Sequence, residues 1–182
     1  HIAFQSNRDG NFEVHILEIE TGDLTNLTRN PNLDANPAWS PDGSTIAFAS
    51  DRSGNPEIWL VNADGTGARQ VTDRPMLGEW RPAWSPDGQT VAFESFPTVP
   101  PRDIVIQAVE AGTARELETP SSWNMWPSWP TNDLVLFASS ETFDEDTAMG
   151  SPADLYLMDI NTGETVRITS RSGDDGRPTW RP

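Results

Sequence analysis

The chain has no cysteine and no lysine, and only two histidines, His1 and His15. Absence of cysteine excludes disulfides, thiol nucleophiles and the usual zinc knuckles, and it leaves the redox compartment unreadable. With lysine missing, twelve arginines face 28 carboxylates, and the formal net charge is −16. Such a surface has no basic footprint for counterion release, so nucleic acid is a poor partner. It suits a cation, a basic peptide or a basic protein face, or it serves solubility alone. No run approaches the roughly 18 apolar residues of a membrane-spanning helix, so no membrane insertion is expected. No basic-then-apolar leader opens the chain, which begins at His1 as a processed or excised piece would.

Catalytic signatures are also missing. There is no Gly-x-Ser-x-Gly elbow, His-Glu-x-x-His helix, Walker loop or dinucleotide fingerprint. His15 falls in a strand position held in other repeats by Trp59, Val105 and Tyr156, so it reads as a packing or surface residue. The expectation is a non-enzymatic protein without a cofactor.

What is present is repetition. Pro-Ala-Trp-Ser-Pro-Asp-Gly occurs at Pro37 to Gly43 and at Pro82 to Gly88, and each copy runs into an apolar strand, Ile46-Ala47-Phe48 or Val91-Ala92-Phe93. An eroded copy is Pro127-Ser128-Trp129-Pro130 with Leu134 to Phe137, and a split copy joins Pro178-Thr179-Trp180 to Ile2-Ala3-Phe4. The tryptophans Trp39, Trp84, Trp129 and Trp180 stand 45, 45 and 51 residues apart. Within residues 35–72, turns at Ser40-Pro41-Asp42-Gly43, Asp51 to Asn55 and Asp64-Gly65-Thr66-Gly67 separate four strands of about five residues. Four antiparallel strands recurring near 45 residues are the pattern of propeller blades.

The fold expected is therefore all-β: one β-propeller domain over residues 1–182, with four blades of four antiparallel strands. Blade one takes residues 177–182 plus 1–28, blade two 29–72, blade three 73–119 and blade four 120–169. In this scheme the C-terminal Pro178-Thr179-Trp180 is the inner strand that joins the three N-terminal strands and closes the ring. The alternative is exchange of that strand between two chains, giving an eight-bladed homodimer. The monomer is favoured because an intramolecular clasp avoids the entropy cost of association.

The repeat, Pro-x-Trp-Ser-Pro-Asp-Gly with an Ile-Ala-Phe strand, a Ser-Asp-Arg-x-Gly turn and a closing Leu-Thr, resembles that of the TolB-like propeller family across essentially the whole chain. The resemblance implies a scaffold that binds a protein or peptide and a periplasmic or secreted location. Family members usually carry six or more blades, and four is a departure that bears on closure. Propellers of this class also resemble those that gate prolyl-oligopeptidase-type hydrolases. A regulatory or substrate-gating propeller from such an enzyme is thus a second reading, and a carbohydrate- or cation-binding module a third.

Antiparallel alternation puts the turns after the second and fourth strands of each blade on one rim. There the repeats diverge most. Met76, Trp80, Phe96, Arg102, Trp123, Met125, Trp126, Phe143, Asp144, Glu145 and Asp146 are the candidate partner-binding residues, since large aromatic side chains dominate interface hot spots. Tryptophans that precede inner strands equally suit packing between blades. Glu141, Asp144, Glu145 and Asp146 could collect a calcium ion or remain solvated, and their spacing is not that of an EF-hand loop. The Asp51-Arg52 and Asn7-Arg8 pairs read as turn-holding residues.

Overall fold

The computed structural model describes residues 1–97, 102–141, 143–144, 149–150, 153–170, 173 and 175–179. Turn chemistry cuts this chain into short strands. In the Ser40 to Gly43 turn the Ser40 hydroxyl donates to Asp42 Oδ1 at 2.6 Å, the Ser44 N–H donates to the same oxygen at 3.0 Å, and Gly43 supplies φ of 70°. The Ser85-Asp87 pair and Gly88 repeat this geometry. The strands so bounded are rich in Val, Ile, Phe and Trp, the residues that fit a pleated surface.

The strands form antiparallel sheets in chain order. Sheet one contains β1 (Ile2–Ser6), β2 (Glu13–Leu17) and β3 (Leu24–Asn26). Sheet two contains β4 (Asp34–Trp39), β5 (Thr45–Ser50), β6 (Glu57–Asn62) and β7 (Arg69–Gln70). Sheet three contains β8 (Leu77–Trp84), β9 (Thr90–Pro97), β10 (Asp103–Ala108) and β11 (Ala114–Glu116). Sheet four contains β12 (Trp123–Ser128), β13 (Leu134–Ser140), β16 (Asp154–Asp159) and β17 (Thr165–Arg167), and between them β14 (Phe143–Asp144) pairs with β15 (Met149–Gly150) in a small hairpin. No helix occurs among the described residues. The four sheets follow the fourfold repetition of the sequence, the first of them with three strands.

The sheets stack face to face, and period-2 alternation decides what meets what. Val14, Ile16 and Leu27 of the first repeat pack on Ile46, Phe48 and Val61 of the second. On the opposite face of sheet two, Ala47, Ile58 and Leu60 meet Val91, Phe93 and Val105. Ala92, Ile104, Ile106 and Leu117 then meet Val135, Phe137 and Met158. In each contact a large Phe from the later sheet fills the space, while the alanine behind it leaves room for the next sheet. Trp84 Nε1 donates to Ala38 O at 3.1 Å and Trp129 Nε1 to Ala83 O at 3.0 Å, so the repeated tryptophans also tie neighbouring sheets together.

A polar tether repeats beneath these cores. The Asn55 amide donates to Glu57 Oε1 at 2.8 Å and to Leu77 O at 2.6 Å, and Thr72 Oγ1 donates to Glu57 Oε2 at 2.6 Å. Asn11, Glu13 and Thr28 repeat the arrangement, with Asn11 reaching Asn30 O and Asn32 O at 2.7 Å. The buried carboxylate thus receives its hydrogen bonds from the segment that leads into the next sheet.

The expected join between the C-terminus and sheet one is not present among the described residues. β1 pairs only with β2, Arg177 to Thr179 carry no strand, and Trp180 to Pro182 lie outside the described residues. Three clusters link four sheets in sequence, and no cluster of described residues links sheet four back to sheet one. The end faces carry the physical consequence. Phe4 is only half-buried and Ile2 exposed, although their counterparts Phe48 and Ile46 are fully buried. On sheet four Leu155 and Leu157 are half-buried and Ile168 is 53% exposed, where Ile58 and Leu60 of sheet two are buried. Phe93→Ala should therefore cost about 3–5 kcal/mol in urea denaturation and Phe4→Ala about 1–2 kcal/mol. Equal losses would mean that the face of sheet one is covered in solution.

Candidate functional site

Each inner strand breaks register at the same place, between Ala35 and Ala38, Trp80 and Ala83, and Met125 and Ser128. The residue before the repeat proline is left-handed every time: Asn36 has φ 52°, Arg81 51°, Trp126 54° and Arg177 52°. Proline has no N–H to lose at a bulge, and it bars the preceding residue from the right-handed helical region. Positive φ strains a bulky residue such as Trp126 or Arg81, by order 1–3 kcal/mol. The inverted backbone turns its N–H out of the ladder. Gln5 Oε1 accepts the Asn36 N–H at 2.8 Å, and Glu94 Oε1 accepts the Trp126 N–H at 2.8 Å. Gln5 and Glu94 hold equivalent positions on β1 and β9, so the acceptor reaches from one sheet to the bulge of the next.

These four positive-φ residues converge on one cavity of about 540 Å³, lined also by Gln5, Pro82, Pro127 and Pro178. Its floor carries charge of both signs. Arg81 Nη1 donates to Glu94 Oε2 at 2.6 Å, and the Arg177 guanidinium lies 5.6 Å from the centroid of Trp126. Gly176 lies flat against the Trp126 ring, where a Cβ would overlap it. Burial raises the pKa of Glu94, opposed by the Arg81 charge. Sequence reading missed this cavity, although the variable residue before each proline was its visible signal.

The registers Leu77↔Pro97 and Trp123↔Ser140 bring the loops before the inner strands and after the second strands to one end of the sheets. Met76 is 83% exposed there, while Trp80 and Phe96 are half-buried. The Arg102 guanidinium is sandwiched 4.0 Å from the Phe96 centroid and 4.8 Å from that of Trp123, which latches sheet three to sheet four. Asn124 tightens this latch by donating from its amide to Arg102 O at 2.8 Å. Trp123 and Met125 are buried, which withdraws them from any exposed contact surface, and Trp126 faces the cavity. Phe143 and Asp144 form β14. Glu145 and Asp146 lie outside the described residues, and among the described residues no three carboxylates or histidines gather as a metal site would require.

The family model for the TolB beta propeller domain matches residues 1–146. A Tol-Pal system protein TolB from Desulfosudis oleivorans is 36% identical over 61 residues, covering 34% of this chain and 14% of that protein. An uncharacterised peptidase, YuxL of Bacillus subtilis, is 38% identical over 63 residues, covering 34% of this chain and 10% of that protein. The crystal structure of TolB from Acinetobacter baumannii superposes with a TM-score of 0.77 at 22% identity, over 96% of this chain and 42% of that one. The chain spans less than half the length of each.

One rim carboxylate is out of balance. Glu79 is the third residue of β8 in sheet three and is fully buried, yet neither carboxylate oxygen has a hydrogen-bond partner. Arg74 Nε is 3.7 Å away. In sheet two the equivalent Asp34 receives Arg52 Nη2 at 2.9 and 2.8 Å, but Pro97 stands where that arginine would be. Burial, reinforced by the like charge of Glu57, pushes the Glu79 carboxyl up to about 8. Because the folded value exceeds the ordinary one of 4.5, the fold takes up a proton that the unfolded chain releases. The stabilisation is complete below about 4.5 and lost as pH rises through about 8. Glu94 and Asp103, also raised by burial, act with the same sign. Glu79→Gln should flatten the fall in melting temperature between pH 5 and 8 and should leave the variant more stable than the parent at pH 8, as calorimetry would record.

Proposed function

Because the chain belongs to the TolB β-propeller domain family, we propose that it is a non-enzymatic scaffold that binds a protein or peptide at the rim and axial mouth just described. The observation that carries this reading is the bulge. One backbone geometry recurs four times, yet the side chains it presents are Asn36, Arg81, Trp126 and Arg177. A repeated backbone that carries asparagine, tryptophan and two arginines in place of one conserved side chain suits recognition, since function lives in sites grafted on a fold. Trp126 offers a large aromatic face, Arg81 and Arg177 offer planar donors, and exposed Met76 offers a soft apolar contact on the adjoining rim. A periplasmic or secreted location follows from the same family analogy.

A second reading has its own support. The similarity to the peptidase YuxL favours a gating propeller within a larger hydrolase. Both readings need the axial end open to a polypeptide, but only the second needs a catalytic partner domain.

Selection of displayed random peptides against the protein tests the first reading. Enriched peptides should bind at least about tenfold more weakly to Trp126→Ala and Met76→Asp, the loss expected when a contact anchor is removed. Thr66→Ala, on the opposite rim, should leave binding unchanged. Failure to enrich peptides, or binding indifferent to both rim variants, would sink the scaffold reading.

A further inference from the structure

Sheet two holds an arginine in a slot made by its own strands. Arg52 lies 5.3 Å from the Phe48 centroid and 4.7 Å from that of Trp59, its Nε donates to Ser50 Oγ at 2.9 Å, and its Nη2 meets both oxygens of Asp34. Sheet one begins the same device: Arg8 Nε donates to Ser6 Oγ at 2.9 Å and its guanidinium lies 5.3 Å from Phe4. In both, the arginine follows the serine by two residues.

Sheet four builds much of this slot in the same register, with neutral Asn124 where Asp34 stands and with Ser139 Oγ donating to Asn124 Oδ1 at 2.7 Å and lying 2.8 Å from Ser121 Oγ. Phe137 pairs with Tyr156 as Phe48 pairs with Trp59, Ser139 faces Asp154 as Ser50 faces Glu57, and Asn124 faces Ser139 as Asp34 faces Ser50. The Phe137 and Tyr156 rings are stacked with centroids 6.0 Å apart. Two residues beyond Ser139, however, stands Glu141, and residues 142–152 include neither arginine nor lysine. A cavity of about 280 Å³ opens at this point, bordered by Ser121, Ser139, Glu141, Asp154 and Tyr156. Arg167 occupies one edge, paired with Asp154. Two carboxylates against one guanidinium leave the pocket negative.

We propose that this pocket takes the guanidinium of an arginine side chain from a protein partner, placed as Arg52 is placed in sheet two. The inference rests on the reading that this rim binds a polypeptide, and it names the side chain recognised. A planar guanidinium can lie along the Tyr156 ring and still direct N–H groups at Ser139 and Glu141. A lysine ammonium, compact and strongly hydrated, lacks the planar face that lies along the ring. Exchange of the internal arginine for Glu141 converts a self-filled slot into one that attracts the same group from outside.

Tyr156 is the sole tyrosine, so 3-fluorotyrosine labelling gives one 19F resonance at the pocket. Nα-acetyl-arginine amide should shift it saturably, and the acetyl amides of citrulline and lysine should bind at least about tenfold more weakly. Glu141→Gln should weaken the arginine response. Glu141→Arg should refill the slot from within, abolish the response and raise the melting temperature. No saturable shift with the arginine probe, an equal response to citrulline, or an unchanged response in Glu141→Arg would overturn the pocket. If peptides still bind the rim when the probe fails, only the pocket falls; if the probe binds and peptides do not, only the rim reading falls.

Discussion

A sheet that is apolar on both faces can be buried only between two others, and that constraint organises this protein. The second strand of the best-preserved repeat reads Thr45 to Ser50, with Ile46 and Phe48 directed to one side and Ala47 and Ala49 to the other. The second strand of each buried interface therefore presents its large residues backward and its alanines forward, and the stack proceeds in one direction. Among the described residues the two end faces are less covered, with Phe4 half-buried and Ile168 exposed. Hydrophobic burial of this kind is non-directional, so shape and alternation must supply the order.

Buried polar groups supply the rest of the specificity. Glu13 and Glu57 are each held by an asparagine, a threonine and a backbone N–H, which ties the end of one sheet to the entry of the next. Asp34 and Arg52 neutralise one another beneath two aromatic rings. Such a network is stable only when every member is satisfied. Where one member changes, the remainder is left exposed to titration or to outside ligands: Glu79 lacks the arginine that Asp34 has and keeps only a 3.7 Å ion pair with Arg74, while in sheet four the arginine becomes Glu141 and a cavity opens. Divergence among the repeats thus has two outcomes, a pH-sensitive core carboxyl and a candidate binding pocket.

These features meet at one end of the stack. The positive-φ positions present an asparagine, a tryptophan and two arginines to the axial cavity, the Phe96–Arg102–Trp123 sandwich stiffens the rim beside it, and the pocket on sheet four lies on that same rim. A rigid sheet framework with varied loops and bulges is the arrangement in which binding function is commonly carried, because the scaffold sets position and the variable residues set chemistry.

Much of this was legible in the residues themselves. The Pro-x-Trp-Ser-Pro-Asp-Gly copies, the turn glycines and the alternating strands determine a stack of repeated antiparallel sheets, because turn geometry and period-2 burial are local properties. The rim on which Met76 and Arg102 would lie also follows from strand alternation. Only the tertiary structure decided which rim residues are exposed. Trp123 and Met125 read as anchors but are buried, since sheet three covers them, and Arg102 is engaged by rings from two sheets. It also decided that residues before the prolines adopt positive φ and share a cavity, because the N–H groups they release find acceptors on a different repeat. Sequence spacing reports what one strand can do; packing between repeats decides which side chains are left to meet a partner.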